Sequence, residues 1–209
     1  MTVSMSATTP DRDATPYTGW RLVGLATAAI LLVQACVLGF GGRGEDGLRM
    51  AVRASARTSL LLFGASFVAS SWWALRRDSV GRWLVKNRRH LGVSFAVSHA
   101  VHLADILSLL RVHHTEVRTL TLVVGGFGYL LVAAMAATSS DAAVRALGAR
   151  AWKRLHGFGA RYLWLVFFLT LLPHGRPRAI EGAMLVFVLA IAALRGAARW
   201  VPARSSAAI

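Results

Sequence analysis

The sequence predicts an all-α integral membrane protein, built as a bundle of six membrane-spanning helices. Of its 209 residues, 56% are hydrophobic and only 16% are charged, too little polar surface for a soluble domain of this size. Six apolar stretches reach the roughly 20 residues that a helix needs to cross the hydrocarbon. None has the alternation and turn signals of barrel strands, so a helical bundle is favoured.

The expected spans follow one another along the chain, separated by short polar connections. They cover Trp20–Phe40, Arg57–Leu75, His90–Leu110, Thr119–Thr138, Trp152–Pro173 and Ala179–Ala198. Residues 1–19 are polar and unpatterned, so we expect a disordered tail, with residues 199–209 forming a short second tail. A signal peptide is not expected, because the start lacks a basic segment and a cleavage site. Residues 20–198 are then one membrane domain.

The distribution of lysine and arginine predicts the orientation. The chain has 24 of these residues and a formal net charge of +15. They concentrate in the two tails and in the second and fourth loops, where they flank apolar runs, so nucleic-acid binding is not expected. The second loop is the richest, with Arg76, Arg77, Arg82, Lys86, Arg88 and Arg89. The positive-inside rule puts both termini in the cytoplasm.

Five of the seven histidines lie between residues 90 and 114, in and around the third span. His99 and His102 are three residues apart and share a helix face, to which His113 nearly returns. Asp105 follows His102 by about one turn. Ionisable groups inside a span are costly and usually mark a functional site. This segment is therefore the first candidate site.

The third and fifth spans together are predicted to hold heme. His156 and His174, in the fifth span, are eighteen residues apart and so share a face about five turns apart. Both spans run in the same direction, and imidazoles facing each other in a bundle can ligate iron. The predicted axial ligands are His102, His156 and His174, with His99 and His113 as further cofactor-binding candidates.

Structural roles remain open for several of these side chains. His90 and His114 are interpreted as histidines of the membrane interface or a loop. His99 is also consistent with a bond to a neighbouring carbonyl. Asp105 either orients an imidazole or forms a hydrogen bond between helices. Arg161 either pairs with a heme propionate or extends its head group toward water.

Three motifs resemble the ferric reductase-like transmembrane domain family, and together they cover most of residues 57–174. They are Arg57-Thr58-Ser59, then Arg88-Arg89-His90-Leu91-Gly92 followed by Val101-His102-Leu103, and finally Trp152-Lys153-Arg154-Leu155-His156. Within this family the chain is similar to the short members that serve as heme-binding membrane subunits of periplasmic methionine sulfoxide reductase systems. The resemblance implies one or two b-type hemes between the third and fifth helices, with His102 and His156 at ligand positions. It also implies electron transfer across the membrane.

The chain departs from the family pattern in the fifth span. The family's second histidine follows the first by about thirteen or fourteen residues, about 20 Å of helix, where this chain has Leu169 and Thr170. His174 takes that role only if the helix is shifted or distorted. The flanking arginines also predict that His102 and His156 differ in depth by about 18 Å. Pairing His174 with His102, or with His113, would relieve this difference.

The sequence also predicts what the protein needs from partners. Only a short tail follows the sixth span, and the glycines at 125, 126 and 128 lie within a span, so no flavin or nicotinamide domain is expected. An electron-transfer (oxidoreductase) subunit would need a separate flavoprotein or quinol donor, or a loosely bound flavin, and an acceptor at the outer face. The basic second loop is expected to hold anionic membrane lipid.

Two other functions stay open at this stage. A transporter or proton pathway would use His99, His102 and Asp105 as a relay. A structural membrane subunit would use the histidines only as buried polar packing.

Overall fold

A computed structural model describes residues 17–113, 118–172 and 179–200. These residues form seven α-helices and no strand, which confirms the all-α prediction. The helices are α1 (Gly19–Gly41), α2 (Glu45–Arg76), α3 (Ser79–His113), α4 (Thr119–Ala137), α5 (Asp141–Leu147), α6 (Ala149–Leu171) and α7 (Ala179–Ala197). Neither the short α5 nor the full length of α2 and α3 was expected.

Five helices, α1 to α4 and α7, are long and apolar enough to cross a membrane, so the chain is an integral membrane protein. The fifth expected span corresponds to α6, which is 23 residues long but is not among these five. Four cationic residues lower its apolar character, namely Arg150, Lys153, Arg154 and Arg161. The sixth span is therefore not confirmed.

Short turns make neighbouring helices antiparallel. Between α2 and α3, Arg77 adopts a left-handed conformation (φ 53°), and its N–H donates to the carbonyl of Trp73. The next residue, Asp78, accepts hydrogen bonds from Gly81 N–H at 2.7 Å and from the Trp72 indole at 3.0 Å. The Gly81 N–H is the main cause that holds the pKa of the Asp78 carboxyl below its ordinary value.

The connection from α1 to α2 depends on a close backbone approach. A Cβ on Gly47 would lie 2.0 Å from the carbonyl oxygen of Gly42, so the first turn of α2 tolerates no side chain there. The acidic Glu45 and Asp46 open α2, where they complement the positive end of the helix dipole. These features start α2 twelve residues before the apolar stretch that marks its span.

The core joins five of the helices. α2 and α3 form the most extensive pair, α1 packs on both, α7 packs on α2 and α6, and α4 contacts α3 and α6. Their shared core consists of Leu60, Phe63, Phe67, Val68, Phe95, Val132, Leu163, Val188 and Ile191. We call the end where α2, α4 and α7 end and α3 and α6 begin the basic end, and the other the opposite end.

Candidate functional site

A cavity of about 640 Å³ lies at the basic end, between α2, α3, α4, α5, α6 and α7. Its apolar walls include Phe63, Phe67, Phe95, Val132, Met135 and Trp152. Five cationic side chains also line it, namely Lys86, Arg88, Arg89, Lys153 and Arg195, together with the acid Asp141 and one predicted ligand, His156. Apolar walls with cations among them suit a flat apolar ligand that carries negative groups.

Two of the cavity arginines are held by neighbouring groups. The guanidinium of Arg88 donates to the hydroxyl of Ser70 at 3.1 Å. The guanidinium of Arg195 donates to the carbonyl of Phe67 at 3.2 Å and lies 4.3 Å from the centre of that ring. None of these partners is an acid, so both cations keep their charge available to a ligand.

The short helix α5 closes one side of the cavity. Its N-cap residue, Ser140, accepts a hydrogen bond from Ala143 N–H at 3.1 Å. Asp141 then forms an ion pair with Arg89 of α3 at 3.0 Å. This pair is largely exposed, so it positions α5 more than it stabilises the fold.

His156 lies near the beginning of α6, in a defined hydrogen-bonding environment. Its Nε2 is 3.1 Å from the hydroxyl of Thr138, and its ring stacks on Trp152 with centroids 4.2 Å apart. The Thr138 hydroxyl also lies 2.7 Å from the carbonyl of Ala134, which can only accept. The hydroxyl therefore donates to that carbonyl and accepts from His156 Nε2–H. Ligation through Nε2 requires this bond to be released.

His102 has the opposite arrangement. Its Nδ1 is 3.0 Å from the hydroxyl of Ser55, which in turn lies 3.0 Å from the carbonyl of Ala51. By the same reasoning the imidazole donates from Nδ1, and its Nε2 has no hydrogen bond within the described ranges. An imidazole adopts this tautomer when its Nε2 ligates a metal, because a neighbouring hydrogen-bond acceptor holds Nδ1–H.

His99 is surrounded by aromatic rings. It stacks on Tyr129 of α4 with centroids 4.6 Å apart, and also contacts Phe95, His102 and, at 6.1 Å, Phe167 of α6. The Nδ1 of His99 and the hydroxyl of Tyr129 are buried and have no hydrogen-bond partner among the described residues. Unpaired buried polar atoms are unusual and require an explanation.

Asp105 forms its hydrogen bonds within the bundle. It accepts a hydrogen bond from the side-chain amide of Gln34 of α1. Of the two roles considered for Asp105, the structure thus has the hydrogen bond between helices. Sequence reasoning did not select Gln34, although a lone amide in the most apolar part of α1 is itself a signal.

The structure does not bring His102 and His156 together. His156 bonds Thr138, whereas His99 stacks on Tyr129, nine residues earlier in α4 and so about 14 Å away along the helix. On α6 the ring that contacts His99 follows His156 by eleven residues, about 16 Å of helix. His99 and His102 therefore lie at a different depth from His156.

The other histidines lie elsewhere. His113 is at the opposite end, where its Nδ1 is 4.0 Å from a carboxylate oxygen of Glu45. His90 packs edge-on against a tryptophan of α1 and is not in the cavity lining. His114 and His174 lie outside the described residues, so the predicted roles of His174 stay predictions.

A bare metal ion has no evident site in the described parts of the chain. They contain no group of three or more His, Cys, Asp and Glu side chains that could hold one. Heme makes a smaller demand, because the protein supplies only its axial ligands. The cavity composition, with apolar walls, cations and His156, fits that group.

Comparison with known proteins identifies a similar membrane subunit. The chain resembles MsrQ. The heme-binding subunit of the protein-methionine-sulfoxide reductase from Azospira oryzae is 33% identical over 112 residues, which are 47% of this chain and 48% of that protein. The match spans about half the length of the relative, and it confirms the resemblance to such subunits. No family model and no solved structure matches the chain.

Proposed function

We propose that the chain is a b-type heme protein that transfers electrons across the membrane in which it lies. The cavity at the basic end carries this proposal, because its volume of about 640 Å³ falls within the range of small-molecule sites, about 300–1,000 Å³. The similarity to a heme-binding membrane subunit supports the choice of ligand. On this proposal α6 is the sixth span, since its 23 residues reach about 34 Å.

The cavity residues divide the work of binding between them. The aromatic walls from α2 and α3 exclude water and lower the local dielectric, which strengthens every charge interaction inside. Arg88 and Arg195, which have no acidic partner among the described residues, would balance the propionates through charge-assisted hydrogen bonds. His156 would supply an axial imidazole. When bound, heme supplies a one-electron carrier whose potential depends on its ligands and on the surrounding dielectric.

The histidines in the middle of α3 are the second part of the proposal. His102 offers a free Nε2 and a fixed Nδ1–H, and His99 lies beside it with an unpaired nitrogen. We propose His102 as an axial ligand at this level, with His99 next to the ligand and His113 or His174 as candidates nearer the opposite end. Ligands at two depths favour two hemes over one.

Electrons would enter at the basic end and leave at the opposite one. A surface rich in arginine and lysine attracts acidic partners and accelerates their association at low salt. We propose that a separate flavoprotein or a quinol is the donor and that the acceptor lies at the outer face. The relative is named as a subunit, which is consistent with a partner. Both termini would then lie in the cytoplasm of a bacterial cell, at its inner membrane.

The proposal is tested by purifying the full chain after heme-supplemented expression. A reduced-minus-oxidised spectrum should show b-type heme, and the pyridine hemochrome should give one or two hemes per chain. A colourless protein with native helix content would contradict the proposal.

A proton pathway is the second candidate, and a specific contact network favours it. Gln34 donates to Asp105, and one turn before Asp105 the Nδ1 of His102 lies 3.0 Å from the hydroxyl of Ser55. This candidate predicts proton flux into liposomes from heme-free protein, abolished by Asp105→Asn. Absence of flux together with stoichiometric heme would exclude it.

A further inference from the structure

The structure has a second cavity, at the other end of the bundle from His156 of α6. It is a groove of about 650 Å³ between the last turns of α1 and the first part of α2, at the opposite end of the bundle. Its lining includes Cys36, Val37, Phe40, Met50, Arg53 and Arg57. The proposed electron transfer through heme uses no residue of this groove.

The walls of the groove are apolar and accessible. Phe40 is 94% exposed and Met50 42% exposed, and Cys36 is exposed as well. Both helices are long and apolar enough to span a membrane, so these side chains face lipid. The groove therefore opens sideways into the bilayer, where acyl chains are the available occupants.

Two cations lie in this apolar groove without partners. Arg53 and Arg57 are four residues apart and share a face of α2. Side chains on a helix lean toward its N-terminus, so the head group of Arg57 reaches back toward the level of Arg53. Neither forms a hydrogen bond, an ion pair or a cation–π contact with any described residue. By contrast Arg49, one turn earlier, pairs with Glu45 at 2.6 Å.

Along α2, neither arginine has an acidic residue within one helical turn. The closest acidic residue on that face of α2 is Asp46, seven residues before Arg53, or about 11 Å along the helix. A charge at the edge of the hydrocarbon without a counterion is costly. The groove therefore has two cations that need a counterion, and apolar walls that acyl chains can contact.

We propose that this groove binds one anionic phospholipid from the adjoining leaflet. Its phosphate accepts hydrogen bonds from the guanidinium groups of Arg53 and Arg57, and an acyl chain lies along Val37, Phe40 and Met50. A zwitterionic lipid is bound less tightly, because its own cation competes for the phosphate. Such a lipid attaches α1 to α2 at the end farthest from the cavity.

Native mass spectrometry of the full chain in detergent tests the proposal, with phosphatidylglycerol and phosphatidylcholine of identical acyl chains as probes. We expect one phosphatidylglycerol to bind in preference to phosphatidylcholine. Replacing both arginines (Arg53→Gln with Arg57→Gln) should weaken phosphatidylglycerol binding about 30-fold, since each basic residue near a membrane surface contributes about fivefold. The matched control, Arg111→Gln with Arg118→Gln, removes two cations from the same end outside the groove and should leave binding unchanged.

Further variants separate the head group from the acyl chain. Arg53→Lys with Arg57→Lys should keep most of the preference for phosphatidylglycerol, whereas Phe40→Ala should weaken both lipids alike. Inorganic phosphate should not displace the bound lipid. If the double glutamine variant loses helix content, Arg53→Gln alone, at an exposed position, should show the fivefold loss. Equal binding of the two lipids, wild-type affinity in either glutamine variant, or displacement by phosphate would overturn the proposal.

Discussion

The cavity at the basic end and the histidine cluster in the middle of α3 differ in their free space, their charges and the hydrogen-bond partners of their histidines. The cavity has space, apolar walls and five cationic side chains, and its histidine is bonded to a threonine. The middle of α3 has no cationic lysine or arginine within the His99–Asp105 stretch, and its polar groups bond one another across α1, α2 and α3. Positive charge is thus available to a ligand in the cavity and absent from the His99–Asp105 stretch. Helical spacing identifies candidate imidazoles, but the hydrogen-bond partners of each imidazole determine whether it can ligate a metal.

The largest expected effect is the loss of heme, which should differ between the basic end and the level of His102. His156→Ala should remove the heme held at the basic end, so the heme-to-protein ratio should fall by one heme equivalent in a pyridine hemochrome assay. His102→Ala should remove heme from the other level only, so reduced-minus-oxidised spectra of the two variants should differ. His90→Ala is the control, because His90 lies outside the cavity. Identical spectra for His102→Ala and His156→Ala would mean that one site uses both histidines.

The next effect concerns the cavity cations. Replacing Arg88 and Arg195 by glutamine should speed the loss of heme to an excess of a heme-scavenging protein by about 100-fold or more, since hydrogen bonds to charged groups contribute about 1.5–3 kcal/mol each. Stopped-flow absorbance would measure this rate. The control pair, Arg82→Gln with Arg145→Gln, removes two cations of the basic end that do not line the cavity. An equal effect of the control pair would indicate that only general positive charge matters.

Breaking the polar contacts of α3 should lower the stability of the protein but leave heme binding at the basic end unchanged. Gln34→Leu leaves the buried carboxylate of Asp105 without its partner in α1 and should cost about 1–3 kcal/mol of unfolding free energy. Denaturant unfolding in detergent, followed by circular dichroism, measures this cost. Gln34→Leu with Asp105→Leu should recover part of it, because no polar atom is then left unpaired. Additive losses in this double-mutant cycle would argue against the contact.

The smallest expected effect is the change in stability on replacing Tyr129. Its hydroxyl is buried and has no partner among the described residues, so Tyr129→Phe should leave the unfolding free energy unchanged within about 1 kcal/mol or raise it. The same unfolding measurement applies. A clear destabilisation would reveal an unseen partner for this hydroxyl, such as a bound water.

Apolar length predicted the five helices that are long and apolar enough to cross a membrane, but not where α2 and α3 begin. α2 starts at Glu45 and α3 at Ser79, each more than ten residues before the expected span, since hydropathy marks only the part that faces hydrocarbon. Spacing correctly placed His99 and His102 on neighbouring turns. The partners of the histidines, Thr138 and Ser55, were not predictable, because those contacts join residues far apart in sequence. The cavity too results from the packing of six helices and leaves no local signal.

The tight turn at Arg77 and Asp78 has a consequence for how the molecule assembles. Because α2 and α3 are joined by so short a loop, bringing them together costs little chain entropy, and their interface can form as soon as both are inserted. The helices α4, α6 and α7 then pack on this preformed hairpin and supply the remaining walls of the cavity. If heme binds as proposed, it can be held at the basic end only after these helices have packed, so a chain arrested after His113 should resist protease but retain no heme there.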